Sequence, residues 1–110
     1  MQTSDMMVVL TNAPDETTAL ELAEKLVISG VAACVNCLSP MQSIYRWRGE
    51  VEHAKETPLL IKAPRANYAE IERVIRESHP YEVPEVIALP VIAGLAAYLQ
   101  WLDDETISGQ

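Results

Sequence analysis

The sequence is short of glycine, of basic residues and of long hydrophobic runs. It has 110 residues with only four glycines, and 8 lysines and arginines stand against 16 aspartates and glutamates, a formal net charge of -8. A surface of that sign repels phosphate backbones and anionic lipids, so neither nucleic acid nor a membrane is expected as a partner. No apolar run approaches the roughly 18 residues that a membrane-spanning helix needs.

The chain also lacks the common catalytic motifs. It contains no glycine-rich phosphate loop, no nucleophile elbow and no His-Glu-x-x-His helix. We therefore predict that the protein is not a conventional enzyme. A proton-transfer site assembled between subunits from His79, Lys62, Tyr45 and Glu85 is the enzyme alternative that stays open.

The first residues contain no basic stretch followed by an apolar core. This pattern predicts no secretory signal and a cytoplasmic location. Hydrophobic residues make up 49% of the chain, enough to bury one core. We predict a single domain over residues 1–110, with flexible tails at 1–5 and 105–110.

The first half of the sequence reads as a strand, a helix and a second strand. Apolar residues 7–10 predict a strand, and Asp15 is placed to cap a helix that ends near Ser29, where Gly30 suits a left-handed stop. Ala19, Leu20, Ala23, Leu26 and Val27 recur at helical spacing. The apolar run 31–38 predicts a strand covered on both faces.

The second half repeats this order after a hairpin. Residues 42–51 alternate as a strand, with a reversal at 48–50 and a returning strand that continues to about Lys62. Asn67 and Glu70 resemble a capping box before a helix, residues 85–92 predict the last strand, and a short amphipathic helix follows. The predicted fold is α+β, a ferredoxin-like split β-α-β sandwich with a long central β-hairpin and an added C-terminal helix.

The predicted hairpin is too long for the globule that carries it. Its arms, about 31–48 and back to 62, would extend roughly 45 to 60 Å, whereas a chain of this size folds to about 35 Å across. Pro40 and Pro58 are the expected bends. A projecting ribbon with Ile44, Tyr45 and Trp47 would leave edges and apolar surface bare, so we predict that it packs on neighbouring subunits.

Two cysteines form a Cys-Val-Asn-Cys step. Residues three apart in a strand point to opposite faces, so Cys34 and Cys37 are not expected to form a redox pair or half of a zinc site. We interpret them as core residues, with Cys34 the better candidate for contact with a soft metal.

The densest polar segment is residues 79–85, HPYEVPE. Its imidazole and carboxylates are suitable ligands for copper, zinc or nickel, but His79 would serve equally well to complement a helix dipole. Tyr45 and Trp47 share a strand face, where they would frame a ligand pocket or anchor an interface. Lys62 would bind an anion or extend its ammonium group to water.

Several segments together resemble the CutA divalent-cation-tolerance family, over about residues 8–102. The segments are 11–15 (TNAPD), 32–36 (AACVN), 43–49 (SIYRWRG), 60–62 (LIK), 79–85 (HPYEVPE), 89–91 (LPV) and 98–102 (YLQWL). The resemblance implies a ferredoxin-like chain in a tight homotrimer, similar in architecture to PII-type signalling trimers. It also implies a role in divalent-cation tolerance and copper binding.

Carried over to this sequence, the resemblance implies metal contacts and an intersubunit cleft. The metal candidates are Cys34 and His79, with Glu85 as an added carboxylate. The cleft candidates are Tyr45, Trp47, Lys62, Tyr81, Glu82 and Glu85. Some relatives carry a further cysteine at the position of Thr11, and the usual Pro-Gly before the hairpin is replaced here by Ser39-Pro40.

Our leading hypothesis is a cytoplasmic homotrimer that binds copper or another divalent cation, with no obligatory cofactor. The alternative is a PII-like trimer that senses a small molecule in its intersubunit clefts. The identity of the metal or ligand does not follow from the sequence.

Overall fold

A five-stranded antiparallel sheet carries three α-helices in the computed structural model, which describes residues 5–107. The elements, in chain order, are β1 Met6–Ala13, α1 Glu16–Ile28, β2 Cys34–Cys37, β3 Met41–Trp47, β4 Glu50–Pro64, α2 Tyr68–Ser78, β5 Val86–Pro90 and α3 Ala96–Asp104. Within residues 5–107, no helix has the length and apolarity needed to cross a membrane.

The order of the strands is that of a split β-α-β fold. The main path is β2-β4-β1-β5, so β4 separates the parallel pair β1 and β2, and β1 separates the parallel pair β4 and β5. Helices α1 and α2 supply the two crossovers. The predicted ferredoxin-like α+β fold with a long hairpin and an added terminal helix is therefore confirmed.

Local sequence signals explain where α1 begins and ends. The carboxylate of Asp15 accepts the Thr18 N–H at 2.7 Å, which lowers the pKa of Asp15. Ser29 closes the helix, and Gly30 follows with φ +84°, a conformation that glycine adopts without a steric penalty. Of the predicted stripe, Leu20 and Val27 are exposed, because Leu22 takes a place in the core instead.

The predicted capping box of α2 is absent. The Asn67 side chain makes no capping hydrogen bond; its Nδ2 donates instead to the Val31 carbonyl at 3.0 Å. Asn67 is fully buried, so its amide ties α2 to the segment before β2. The prediction of a strand over 31–38, covered on both faces, was wrong. Val31 and Ala32 are buried but precede β2, and β2 itself is a half-buried strand at the edge of the sheet.

The two faces of the sheet are covered unequally. Met7, Val9, Leu59 and Ile61 pack under α1 and α2 in the main core. Met6 points the other way and packs under α3 with Leu99 and Leu102. Because α3 covers only that end, the rest of this second face is open, and its side chains Val8, Leu10, Leu60, Ile87 and Leu89 are half-buried or exposed.

The central hairpin turns at Arg48 and Gly49, as predicted. Both residues have positive φ, 50° and 84°, the geometry of a type I′ two-residue turn between Trp47 and Glu50. The fifteen residues of β4 would extend about 50 Å at ~3.3 Å per residue. The longest principal extent of the chain is 44 Å, so β4 runs nearly the full length of the molecule.

A β-bulge separates β2 from β3. Cys37 lies opposite Leu59 and Met41 opposite Glu56, so three residues on one arm face two on the other. Pro40 lies in the bulge and Pro58 lies opposite it, inside an unbroken β4. The Pro58 carbonyl accepts the Leu38 N–H at 3.0 Å.

The predicted tails lie only partly within the described chain. Residues 1–4 and 108–110 are outside it. The Ile107 N–H donates to the Gly30 carbonyl at 2.8 Å, and the Ile107 side chain packs where a Cβ at Gly30 would stand. Residues 105–107 therefore return to the end of α1.

Candidate functional site

A cleft of about 1020 Å³ lies between the open face of the sheet, β3 and the loop 79–85. Its floor comes from β1 and the middle of β4. One wall is the ribbon, which consists of β3 and residues 50–56 of β4, and the other wall is the loop 79–85. The residues that line it are Leu10, Thr11, Asn12, Leu38, Met41, Ser43, Ile44, Tyr45, Trp47, Glu56, Pro58, Leu59, Leu60, Tyr81, Glu82, Val83, Pro84 and Glu85.

The bulge is what directs Tyr45 and Trp47 toward this cleft. Tyr45 lies opposite Glu52 and Trp47 opposite Glu50, on the face of β4 that also carries Glu56 and Leu60. If the register of β2 continued without the extra residue, Tyr45 would lie opposite Val51 and both rings would point to the other face.

Asn12 fixes both ends of the loop 79–85. Its backbone carbonyl contacts Nε2 of His79, and its side-chain amide donates to Oε1 of Glu85 at 3.1 Å. Asn12 itself is buried on β1. The loop is therefore attached to the sheet at its first and last residues, which holds Tyr81 and Glu82 between them at the cleft.

Both ring nitrogens of His79 are used by this attachment. The Tyr81 N–H donates to Nδ1 at 3.1 Å, so Nδ1 carries no proton, and Nε2–H donates to the Asn12 carbonyl. The rings of His79 and Tyr81 also pack against each other, 4.4 Å apart. His79 thus holds the loop through both ring nitrogens and keeps no free lone pair for another ligand.

The electrostatic character of the cleft comes from carboxylates. One of these carboxyl groups is buried, since Glu56 is only 7% exposed. Burial raises the pKa of the Tyr81 phenol, and the negative charge of the nearby Glu56 carboxylate raises that pKa further. The phenol therefore stays neutral and keeps its O–H as a hydrogen-bond donor at the cleft.

The tip of the hairpin contacts the loop 79–85. Arg48 donates to Glu82 at 2.9 Å, and its guanidinium lies 5.3 Å from the centre of the Trp47 ring. Both partners of the ion pair are exposed, so it contributes little to stability. It does join the ribbon to the loop 79–85.

Five of the six residues predicted for an intersubunit cleft line this cavity within one chain. They are Tyr45, Trp47, Tyr81, Glu82 and Glu85. Lys62 lies elsewhere on the same sheet face, with its ammonium 5.8 Å from the centre of the Tyr98 ring under α3. The sequence placed Lys62 correctly at the end of a strand but not relative to the ribbon.

The three predicted metal ligands are not brought together. Glu85 and His79 both bond to Asn12, while Cys34 packs beside Met6 and α3. Cys34 is level with Val8 across the sheet, since both are paired with Lys62. Val8 is four residues from Asn12, which corresponds to about 13 Å along β1. Among residues 5–107, no group of three or more His, Cys, Asp or Glu side chains could hold a metal ion.

Cys34 and Cys37 point to opposite faces of the sheet, as the spacing predicted. Cys37 packs against the main core, where burial raises the pKa of its thiol, and Cys34 packs against the α3 cluster. Both are free thiols. A shared metal or a disulfide between them is incompatible with this geometry.

Sequence reasoning missed Glu56 and Asn12. Glu56 belongs to a charged run, Glu50 to Glu56, in which the other glutamates are exposed, and nothing in its composition separates it from them. Its position along the strand could have identified it, because alternate residues of a strand share a face. Glu56 is two residues before Pro58 and four before Leu60, so all three lie on one face. Asn12 lies within the segment 11–15, whose role at the loop was not apparent.

The family model described as "CutA1 divalent ion tolerance protein" matches residues 7–105. The divalent-cation tolerance protein CutA of Thermus thermophilus is 41% identical over 99 residues, which are 90% of this chain and 96% of that protein. Human protein CutA is 42% identical over 95 residues, which are 86% of this chain but 53% of the human protein.

Solved structures agree with these relatives. CutA1 from the psychrotrophic bacterium Shewanella sp. SIB1 superposes with a TM-score of 0.91 at 38% identity, covering 94% of this chain and 97% of that one. The divalent cation tolerance protein of Thermus thermophilus gives a TM-score of 0.90 at 40% identity, with 92% and 98% covered. The chain therefore belongs to the CutA1 divalent ion tolerance family.

Proposed function

We propose that this chain supports tolerance of divalent cations as a cytoplasmic homotrimer that binds cations, copper among them, and does not catalyse a reaction. The observation that carries the proposal is the lining of the cleft. It includes Glu56, Glu82 and Glu85, and none of the described lining residues is a lysine, an arginine or a histidine. A cavity lined in this way attracts cations and repels anions.

The residues of one chain do not fit a tightly held metal. Copper and zinc sites are built from three or four converging ligands, and no such group occurs among the described residues. The His79 nitrogens are already bonded within the protein. Metal binding by this chain is therefore weak, or it is completed by carboxylates of other subunits.

Exposed apolar surface supports association. Ile44 on the ribbon is 67% exposed, and Ile87 and Leu89 on the open face are each 49% exposed. Ile44 is on the opposite face of β3 from Tyr45, whereas Ile87 and Leu89 are on the open face, so these are two separate apolar patches. Exposed apolar patches are typical of protein interfaces. Homotrimer formation, which the family resemblance implies, would cover both patches.

A small-molecule sensor is the second candidate. The cleft has the volume of a ligand pocket and is mostly apolar, with a few polar groups converging on it. A metal ion alone does not need a cavity of this size. The PII-like alternative therefore rests on the same cleft but on a larger ligand.

Titration calorimetry with CuCl₂ and ZnCl₂ tests the metal proposal. We expect Glu85→Gln to weaken binding about threefold to tenfold, as loss of one charged ligand does. Cys34→Ser tests the separate thiol contact, and Glu24→Gln, an exposed glutamate on α1, is the matched control. Affinities that are equal in all four proteins would contradict the assignment to the cleft.

A further inference from the structure

Glu56 is a buried carboxyl group without a cationic partner. It is more than nine-tenths buried, and it lies close enough to the Tyr81 phenol to raise the pKa of that phenol. Glu56 takes no part in the ion pairs that join Arg48 with Glu82 and Arg73 with Glu70 and Glu77. Because an unpaired buried carboxylate is costly, a cation bound beside it would lower the free energy of the folded chain.

Aromatic rings line the same cavity. Tyr45 and Trp47 stand on the ribbon wall, and Tyr81 stands on the loop wall. The faces of such rings attract ammonium and guanidinium groups. The chain itself provides an example at the mouth of the cleft, where Arg48 lies over Trp47 while pairing with Glu82.

The remaining walls are apolar and leave room for more than an ion. Leu10, Leu38, Met41, Pro58 and Leu60 contribute to a cavity of about 1020 Å³. A hydrated metal ion gains nothing from apolar walls, since it keeps its water. An organic body attached to the charge would bury apolar surface against them.

We propose that the cleft binds an organic cation, a protonated amine on an apolar body, with its ammonium group at Glu56 and its body against Tyr45, Trp47 and Tyr81. This inference rests on the proposed function for the placement of cation binding in the cleft. It replaces the metal ion by an ammonium compound as the ligand that the cavity fits best.

Phenethylammonium is a suitable probe, because 2-phenylethanol has the same shape without the charge and 3-phenylpropionate has the opposite charge. Calorimetry and the chemical shifts of the Trp47 indole, followed on the full chain, measure binding of each compound. We expect saturable binding of phenethylammonium at least about tenfold tighter than that of the alcohol, and no binding of the anion.

Three variants locate the site. Glu56→Gln keeps the shape of the side chain and should weaken phenethylammonium binding about tenfold or more while leaving the alcohol unaffected. Glu24→Gln should bind like the native chain. Tyr45→Leu, on the exposed ribbon, should weaken binding without the folding risk of a buried position.

The outcomes separate this inference from the proposed function. Binding of copper or zinc without binding of phenethylammonium overturns the inference and leaves the metal proposal standing. Binding of phenethylammonium without binding of copper or zinc supports the inference and contradicts the metal proposal. Equal affinity for amine and alcohol, or equal affinity in the native chain and both Glu56→Gln and Tyr45→Leu, also overturns the inference.

Discussion

The two halves of β4 belong to one strand but have opposite surroundings. Residues 57–64 alternate between buried and half-buried, whereas residues 50–55 are exposed apart from the half-buried Ala54. The inner half lies between β1 and β2 and under two helices, and the outer half pairs only with β3. Strand pairing alone therefore does not bury side chains. The helices bury those of the inner half, and no helix covers the outer half.

The largest effect should come from a truncation in the inner half. Ile61→Ala removes a fully buried side chain from the main core and should lower the free energy of unfolding by about 2–5 kcal/mol. Denaturant unfolding at one low protein concentration measures this. Val51→Ala, the matched position in the outer half at 55% exposed, should change it by about 0.5 kcal/mol or less. Equal losses of unfolding free energy in Ile61→Ala and Val51→Ala would contradict the difference between the two halves of β4.

A charge on the outer half should break association while sparing the subunit. Ile44→Glu places a carboxylate in the proposed interface, and we expect the dissociation constant of the trimer to rise about a hundredfold or more. Light scattering and sedimentation measure the mass, and circular dichroism checks the fold. Ile28→Glu, at an 82% exposed site on α1, should leave the mass unchanged. A native chain that is already monomeric would contradict the trimer itself.

Deleting Ser39 should exchange the two faces of the ribbon. The deletion removes the extra residue of the bulge, so Tyr45 and Trp47 turn away from the cleft while β2 keeps its register. Because the ligand loses its contacts with these two rings, the affinity for phenethylammonium should fall about tenfold. The fluorescence of Trp47 should shift as well. Ser39→Ala keeps the bulge and should bind phenethylammonium normally. This control distinguishes the change of strand register from the loss of the Ser39 side chain.

The smallest effect should come from the tip of the ribbon. Arg48→Ala removes an ion pair whose partners are each about 70% exposed, and the cost should be roughly 0–1 kcal/mol. A double-mutant cycle with Glu82→Ala gives the coupling energy, which should shrink further in high salt. A coupling larger than about 2 kcal/mol would mean that the tip is more desolvated than its exposure indicates.

The fold was largely predictable because its signals are local and repeated. Asp15, Gly30 and the Arg48-Gly49 turn act through backbone geometry that each residue type favours on its own. Asn67 was misread because its amide has two uses, and a buried carbonyl at Val31 competes with the helix N-terminus for it. Local propensity does not decide between such partners.

The site was less predictable because its residues come from distant parts of the chain. Tyr81 and Glu82 were identified from the segment that contains them, but their attachment depends on Asn12, far away in sequence. His79 looked like a metal ligand by residue type, yet the structure uses both of its nitrogens to hold the loop. Residue chemistry shows what a side chain can bind, and the surroundings decide what it does bind.

The sequence by itself determined the strand and helix order, the hairpin turn and the opposite orientation of the two cysteines, because period and turn chemistry act over a few residues. Tertiary structure alone decided the bulge opposite Pro58, the burial of Glu56 and the separation of Cys34 from His79. These depend on register between strands, and one extra residue on one arm changes which side chains share a face.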